Sequence, residues 1–243
     1  MGERSKVLSR RLQMLARMVT PGYRAADVGC DHAFLSIYLV REGISPGVIA
    51  MDVRKGPLSA AKEHIEAQGL SKYIETRMSD GLRELLPGEV DTVICAGMGG
   101  RLMERILSES MEKALLLKEL ILQPQSELKE FREFLRRTGF RVMDEDTIRE
   151  DGKYYFAMRA VPKGGEVFEE PTLSAEQVRL YDKFGEKLLL KQHPVLKQYL
   201  MHQEKMLEQL QESLKTQDTE RADLRLREVQ WELGDVRRAL GMF

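Results

Sequence analysis

The stretch Ala25-Ala26-Asp27-Val28-Gly29-Cys30-Asp31-His32-Ala33 decides the fold, because an apolar run ends there in two acids, a glycine and small residues. The pattern predicts a strand that enters a helix through a tight turn, where α/β sheets bind nucleotide-like ligands. Gly29 would let the backbone approach such a ligand closely. Asp27 and Asp31 put negative charge where a pyrophosphate would have to lie, so the sequence favours a different ligand.

The chain continues as short apolar runs that alternate with amphipathic helical segments, which is typical of βαβ units and a parallel sheet. The predicted strands are Arg24 to Val28, Gly47 to Met51, Ile74 to Met78, Thr92 to Ala96, Glu119 to Gln123, Arg141 to Thr147 and Tyr154 to Ala160. The predicted helices between them are Ala33 to Glu42, Lys55 to Gln68, Arg101 to Ser110 and Glu127 to Thr138. The last two strands would form a hairpin across residues 149–152. We therefore predict a Rossmann-like α/β domain with seven strands over residues 1–165.

The segment before the first strand is predicted to be a helix from Ser5 to Met18, with its apolar stripe packed on the α/β domain. Arg10, Arg11 and Arg17 would point outward, either as a solvated face or as a patch that contacts phosphates. An Arg-rich, acid-poor start also resembles a transit peptide, but it runs directly into the first strand, so we expect it to belong to the mature protein.

Residues 166–243 are predicted to form a separate helical domain after a Pro/Gly linker at Val161–Glu166. Ser174 with Gln177 forms a capping box that would open a helix to about Gln192. Two heptad seams then predict an antiparallel coiled-coil hairpin. Their members are Leu196, Leu200, Gln203, Leu207, Leu210 and Leu214, then Leu226, Val229, Leu233, Val236 and Leu240. Its role could be docking, dimerisation or shape recognition of a large partner.

Composition excludes several classes of protein. The 243 residues are 42% hydrophobic and 32% charged with a net charge of −1, as expected of a globular protein. Cys30 and Cys95 are too few for a disulfide scaffold or a four-ligand zinc site, and we expect them to be core thiols. The sequence shows no long apolar run. We therefore expect a cytoplasmic protein with no metal and no membrane segment.

Acids recur where the next two strands end. Asp52, with Val53 beside it, follows the second strand and could accept both hydroxyls of a ribose, or it could simply be a turn acid. Asp80 and Gly81 follow the third strand, where a carboxylate could accept the amine of adenine. Together with Asp27, these acids predict a row of acceptors along one edge of the sheet.

The fourth strand leads into Ala96-Gly97-Met98-Gly99-Gly100, a run almost without side chains. A tight strand-to-helix turn would explain part of it. Three glycines around one methionine exceed what one turn requires, so we interpret the run as a loop kept bare for a flat substrate to approach the cofactor.

The order of these motifs resembles class I S-adenosylmethionine-dependent methyltransferases. With Leu8-Ser9-Arg10-Arg11-Leu12, Leu122-Gln123-Pro124-Gln125, Gly152-Lys153-Tyr154-Tyr155 and the helical tail, the chain resembles more narrowly the TrmK family of bacterial tRNA (adenine-22-N1)-methyltransferases. The resemblance implies S-adenosylmethionine as cofactor and tRNA as partner. It implies cofactor contacts at Asp27, Gly29, Asp31, His32, Asp52, Val53, Asp80, Gly81, Ala96, Gly97, Met98 and Gly99.

The chemistry of the residues is compatible with that assignment. A sulfonium donor is cationic, so acids near the first strand can hold it electrostatically. Adenine N1 already carries a lone pair, so transfer needs positioning more than a strong base. Asp31 could stabilise the cationic product, and His32 could accept a proton or simply be a turn histidine. Tyr154 could stack on a base, and Arg10, Arg11 and Arg17 could contact tRNA phosphates.

Other functions stay open at this point. One is a methyltransferase that acts on another RNA or on protein, and another is a non-catalytic RNA-binding module that has kept the fold. A nucleotide-dependent oxidoreductase is disfavoured, because Asp31 and Ala33 stand in place of the glycines of a dinucleotide-binding turn. We expect a monomer or a weak homodimer.

Overall fold

The computed structural model describes residues 8–164 and 173–243. The chain divides into two compact units, Met1–Glu170 and Pro171–Phe243. The domain boundary predicted between residues 165 and 166 lies outside the described residues, together with the end of the predicted linker. The same holds for Ser5 to Val7 of the predicted first helix.

The first unit is built on one sheet of seven strands. The strands are β1 Ala25–Val28, β2 Val48–Asp52, β3 Ile74–Met78, β4 Thr92–Met98, β5 Glu119–Pro124, β6 Phe140–Glu150 and β7 Lys153–Pro162. Their order is β3-β2-β1-β4-β5-β7-β6. The pairs among β1 to β5 are parallel, whereas β7 runs antiparallel to β5 and β6. The strand order reverses between β1 and β4, which is where open α/β sheets bind ligands.

Helices cover both faces of this sheet. They are α1 Arg10–Met18, α2 Phe34–Arg41, α3 Lys55–Ala67, α4 Gly100–Glu109, α5 Met111–Ala114 and α6 Leu128–Arg137. Strands β1 and β2 are buried along their whole length, as expected of parallel strands covered on both sides. Alternate residues of β1 enter two hydrophobic cores: Ala25 packs with α1, α2 and α3, and Ala26 packs with α4 and α6.

Two details of the first unit differ from the sequence-based prediction. Helix α1 begins at Arg10 rather than at Ser5, because the Ser9 side chain accepts a hydrogen bond from the Leu12 amide and caps the helix there. The final hairpin is longer than predicted, since β6 and β7 stay paired to Glu150 and Lys153. Only Asp151 and Gly152 form its turn, and both have positive φ, as a two-residue hairpin turn requires.

Within residues 173–243 the second unit contains four helices, and its first helical segment is shorter than predicted. They are α7 Ala175–Phe184, α8 Glu186–Leu190, α9 Pro194–Lys215 and α10 Glu220–Leu240. The capping box of Ser174 and Gln177 is present. The helix predicted to reach about Gln192 ends at Phe184, because Gly185 adopts a φ of 93° that breaks it into α7 and α8.

Helices α9 and α10 pack against each other as the predicted antiparallel pair. Leu196, Leu200, Leu207 and Leu214 are buried along α9. Leu210, predicted to lie in the same seam, is 37% exposed. The prediction for Leu210 is wrong because each of two paired helices covers only a narrow stripe of the other.

Candidate active site

A cavity of about 500 Å³ opens at the carboxyl ends of β1 to β4. Its volume lies in the range of small-molecule sites, which is about 300 to 1,000 Å³. Residues from the strand ends, from α1 and α4 and from the turn after β5 line it. They are Arg11, Val28, Gly29, Asp31, Asp52, Val53, Arg54, Ser79, Asp80, Gly81, Ala96, Gly97, Met98, Leu102, Arg105, Ile106 and Gln125.

The turn after β1 forms the floor of this cavity. The amides of Gly29 and Cys30 both donate to the Met51 carbonyl, at 2.8 and 2.9 Å. Gly29 has a φ of 75°, and the terminal methyl of Met98 fills the space that a side chain at Gly29 would need. The backbone conformation therefore requires glycine here, and any side chain would also displace the Met98 methyl.

Asp27 lies behind this floor rather than on the cavity wall. Its carboxylate is 4% exposed and accepts a hydrogen bond of 2.7 Å from the Ser36 hydroxyl of α2. Burial raises the pKa of Asp27 to about 6, although the Ser36 hydrogen bonds and the Arg11 charge oppose that shift. The site therefore has a buried acid whose charge changes near neutral pH.

Asp52 and Asp80 reach the cavity from the ends of β2 and β3. Asp52 is buried and accepts the Arg54 amide at 2.8 Å. Asp80 forms an ion pair with Arg105 of α4 at 3.1 Å, and this hydrogen bond lowers the pKa of Asp80. Both carboxylates are therefore fixed as acceptors on one side of the cavity.

The end of β4 brings its glycines into close contact with other segments. Gly97 has a φ of 75°, and a side chain there would lie 3.3 Å from Nη1 of Arg11. A side chain at Gly100 would collide with the Ser126 carbonyl. Gly97 thus keeps the cavity wall open, whereas Gly100 serves the packing of α4 against the turn before α6.

Arg11 points into the site, so the prediction that it points outward is wrong for this residue. It is half-buried, and its Nη1 donates to Oε1 of Gln123 at 2.8 Å. Its guanidinium lies 5.7 Å from the ring centre of Tyr155. The Glu150 carboxylate accepts from the amides of Arg10 and Arg11, at 2.7 and 3.1 Å, which fixes the start of α1. Arg10 and Arg17 are exposed, as predicted.

His32 lies beside the cavity but outside its lining. Its Nε2 is 3.7 Å from the Asp31 carboxylate, and its ring contacts Phe34 and His64 at centroid distances of 5.5 Å. Its Nδ1 is buried with no hydrogen-bond partner among the described residues. Nearby, Cys30 and Cys95 are buried, and burial raises the pKa of each thiol, for Cys95 to about 12.

Most of the predicted site residues come together around the cavity, and some do not. Those on its wall are Gly29, Asp31, Asp52, Val53, Asp80, Gly81, Ala96, Gly97, Met98 and Arg11. Those off the wall are Asp27, His32, Gly99, Arg10, Arg17 and Tyr154. Tyr154 instead lies under the guanidinium of Arg149, at 5.5 Å. The assignment of all these residues, on and off the wall, to a functional site stays a prediction.

Sequence reasoning missed several residues of the wall. Leu102, Arg105 and Ile106 of α4 had no motif to mark them, since their roles depend on where α4 packs. The sequence did mark Gln125, because this residue directly follows β5 in Gln123-Pro124-Gln125. The sequence alone did not indicate a role for it in the site.

Comparisons with known proteins place this site in a family. Residues 8–158 match a family model described as a methyltransferase domain. The crystal structure of the Bacillus subtilis M1A22 tRNA methyltransferase TrmK superposes with a TM-score of 0.80 at 30% identity, over 96% of this chain and 99% of that one. The chain belongs to the TrmK family.

Two further relatives support membership of the TrmK family. A Streptococcus pneumoniae protein solved in complex with S-adenosyl-L-methionine has a TM-score of 0.81 at 31% identity, over 96% of this chain and 100% of that one. In sequence, the Bacillus subtilis tRNA (adenine(22)-N(1))-methyltransferase is 39% identical over 148 residues. That alignment spans about three fifths of each protein, 61% of this chain and 62% of the relative.

Two kinds of feature, a membrane-spanning helix and a cluster of metal ligands, are absent from the described residues. No helix within residues 8–164 and 173–243 has the length and apolar character needed to cross a membrane. In the same part of the chain, no three His, Cys, Asp or Glu side chains come together as metal ligands would.

Proposed function

We propose that this chain transfers a methyl group from S-adenosylmethionine to N1 of adenine 22 in tRNA. The observation that carries the proposal is that Asp31, Asp52 and Asp80, from three separate turns, line one cavity together with Arg11. Membership of the TrmK family supports the same reading.

The cavity residues fit S-adenosylmethionine by the chemistry of their donors and acceptors. Asp52 would accept the ribose hydroxyls, and Asp80 would accept the adenine amine. Gly29 and Gly97 line the cavity without side chains of their own, and the flexible ends of Met98 and Arg11 lie beside them. When bound, the cofactor supplies an electrophilic methyl group on a sulfonium.

The buried Asp27 adds a negative charge beneath this site. With a pKa near 6 it is largely ionised at neutral pH, and it lies directly before Val28 and Gly29 of the cavity floor. A cation held above that floor would be attracted through a region of low dielectric constant. Acids at this position therefore favour a sulfonium over a pyrophosphate.

The methyl transfer itself does not need a strong general base from the protein. Adenine N1 attacks with its own lone pair, so the chain must orient the base and exclude water. Asp31, on the cavity wall, would stabilise the positive charge that the methylated base gains. We propose Asp31 for this role, and His32, which is 3.7 Å from it, as its partner.

We place the reaction in the cytoplasm, with tRNA as the macromolecular partner and the protein acting as a monomer or weak homodimer. The exposed Arg10 and Arg17 would contact tRNA phosphates.

The test is methyl transfer to tRNA transcripts, with the modified position mapped. The protein is incubated with labelled S-adenosylmethionine and two transcripts that differ only in adenine or guanine at position 22. Label in the adenine transcript alone supports the proposal. Label in both transcripts supports methyl transfer to RNA but contradicts adenine 22 as the target. Cofactor binding without methyl transfer favours a non-catalytic RNA-binding module.

A matched pair of variants links the transfer to the cavity. D52N should weaken S-adenosylmethionine binding about tenfold, because a buried carboxylate that accepts hydroxyls becomes a poorer acceptor. E63Q removes a charge from the exposed side of α3, outside the cavity, and should leave binding unchanged. Equal affinities for the two variants would remove Asp52 from the site.

A further inference from the structure

A second cavity, of about 530 Å³, lies beside the first one. It is enclosed by α1, α2 and α3 and shares two wall residues, Arg11 and Asp31, with the cavity at the strand ends. Whatever occupies the second cavity would therefore lie next to the proposed cofactor site, with Arg11 and Asp31 in contact with both cavities.

The walls of the second cavity carry an aromatic stack. The rings of Phe34 and His64 lie 5.2 Å apart with an interplanar angle of 23°, and both residues are half-buried wall residues. His32, which is not a wall residue, has its ring 5.5 Å from each of these rings in tilted contacts. Flat aromatic surfaces of this kind stack on nucleobases, whatever the base.

The polar groups of the walls suit one face of a particular base. His64 Nδ1 lies 3.1 Å from the His32 carbonyl, and a carbonyl can only accept, so Nδ1 carries the hydrogen. In the neutral ring, Nε2 is then an acceptor. Asp31 contributes a second acceptor to the same cavity. Two acceptors match the exocyclic amine of adenine, whereas guanine presents a carbonyl oxygen at that place.

The cavity also offers positive charge. Arg41, at the exposed end of α2, joins Arg11 on the walls. A guanidinium beside stacked rings suits a phosphate attached to a stacked base. The walls thus combine a stacking surface, acceptors and cations.

We propose that this second cavity receives the target adenosine of tRNA after it has been flipped out of the helical stack. The inference rests on the proposed function, since it concerns the nucleotide on which the methyl transfer acts. A base inside folded tRNA hides its N1 edge, and unstacking it costs a few kcal/mol. Stacking on Phe34 and His64 would offset that cost next to the donor.

The first experiment measures nucleotide binding without tRNA. Adenosine 5′-monophosphate is titrated by NMR into the full chain saturated with S-adenosylhomocysteine, which blocks the cofactor cavity. We expect F34L and R41Q to weaken binding about fivefold or more, and guanosine 5′-monophosphate to bind more weakly than the adenosine nucleotide. K62Q removes the same charge as R41Q from the exposed face of α3, outside the cavity, and should bind as the wild type does. No binding to the wild type would overturn the proposal.

The second experiment measures steady-state methylation of tRNA. F34L and R41Q should lower kcat/KM for tRNA about tenfold, with KM for S-adenosylmethionine unchanged. Because Arg41 is exposed, R41Q tests the cavity even if F34L folds poorly. Wild-type rates in both variants would overturn this inference alone, whereas absence of transfer by the wild-type protein would overturn the proposed function.

Discussion

Two buried aspartates, one from each unit of the molecule, have opposite surroundings. Asp27, behind the floor of the cavity at the strand ends, is 4% exposed and accepts a hydrogen bond from the hydroxyl of Ser36. Asp235, in α10, is 2% exposed and is ion-paired with Arg179 at 3.0 Å, Lys183 at 3.2 Å and Arg238 at 3.5 Å. One buried acid thus has a neutral partner, and the other has three cations.

The two acids differ in how the charge of the buried carboxylate is compensated. A buried carboxylate is stable when cations compensate its lost hydration, which is the situation of Asp235. Asp27 lacks such compensation, so its folded state carries a free-energy penalty whenever it is ionised. Proteins accept penalties of this kind where a ligand later supplies the missing charge.

The largest expected effect is on stability at Asp235. D235N should lower the free energy of unfolding of the second unit by about 2 to 3 kcal/mol, because three cations lose their shared acid. Urea titration followed by tryptophan fluorescence measures it, since Trp231, the single tryptophan of the chain, lies 4.9 Å from Arg179. D218N, in the exposed turn before α10, is the control. Equal urea midpoints for D235N and D218N would show that Asp235 does not stabilise the second unit.

The same substitution at Asp27 should act in the opposite direction. The pKa of Asp27 is about 6 in the folded chain, against an ordinary value of 3.8, so the folded state binds the proton more tightly. The free energy of unfolding of the wild type therefore decreases as the pH rises from 3.8 to about 6, because over this range Asp27 is ionised in the unfolded chain and still protonated in the folded one. D27N should be more stable than wild type by about 2 to 3 kcal/mol at pH 7 and equal to it near pH 4. Urea titrations at the two pH values measure the difference in free energy of unfolding between D27N and the wild type. A difference that does not change with pH would contradict this explanation.

A smaller effect is expected on ligand binding. Protonation of Asp27 below pH 6 removes negative charge beneath the cavity, so S-adenosylmethionine should lose about tenfold in affinity relative to S-adenosylhomocysteine between pH 7.5 and pH 5. The two ligands differ in the sulfonium charge, so the ratio cancels titrations that affect both ligands equally. Calorimetry on wild type and D27N tests this, because the ratio should stay constant in the variant.

The smallest effect concerns Asp80, a wall acid that does have a cation. R105Q removes a partly exposed pair that solvent screens, so the free energy of unfolding should change little. The pKa of Asp80 should move up toward its ordinary value, as an NMR titration would show. R101Q, on the exposed side of the same helix, is the control. A loss as large as that in D235N would mean that wall acids depend on their cations as much as structural ones do.

Local sequence was sufficient for the sheet and for the residues that follow its strands. Alternating apolar runs predicted all seven strands, and Gly29, Asp52, Asp80 and Gly97 lie where strand ends meet because parallel strands share one edge. The position of Arg11 was not predictable in this way. Helical periodicity gives the buried stripe of α1, but the contact with Gln123 depends on how α1 packs across the sheet.

The second unit shows the same limit in another form. A heptad pattern predicts which face of a helix is apolar, and both long helices agree with it. It does not say how much of that face the partner helix covers, which is why Leu210 stays exposed. Gly185 likewise could continue a helix or break one, and only its backbone conformation decides.

The cap that Glu150 places on α1 has a consequence for synthesis on the ribosome. The amides of Arg10 and Arg11 emerge first, whereas the carboxylate that holds them is 140 and 139 residues further along the chain, respectively. Helix α1 therefore cannot reach its final position until the last hairpin of the sheet has been translated. The wall that Arg11 contributes is completed late, so nascent chains that stop before the hairpin should hold a folded β1 turn and still lack a closed site.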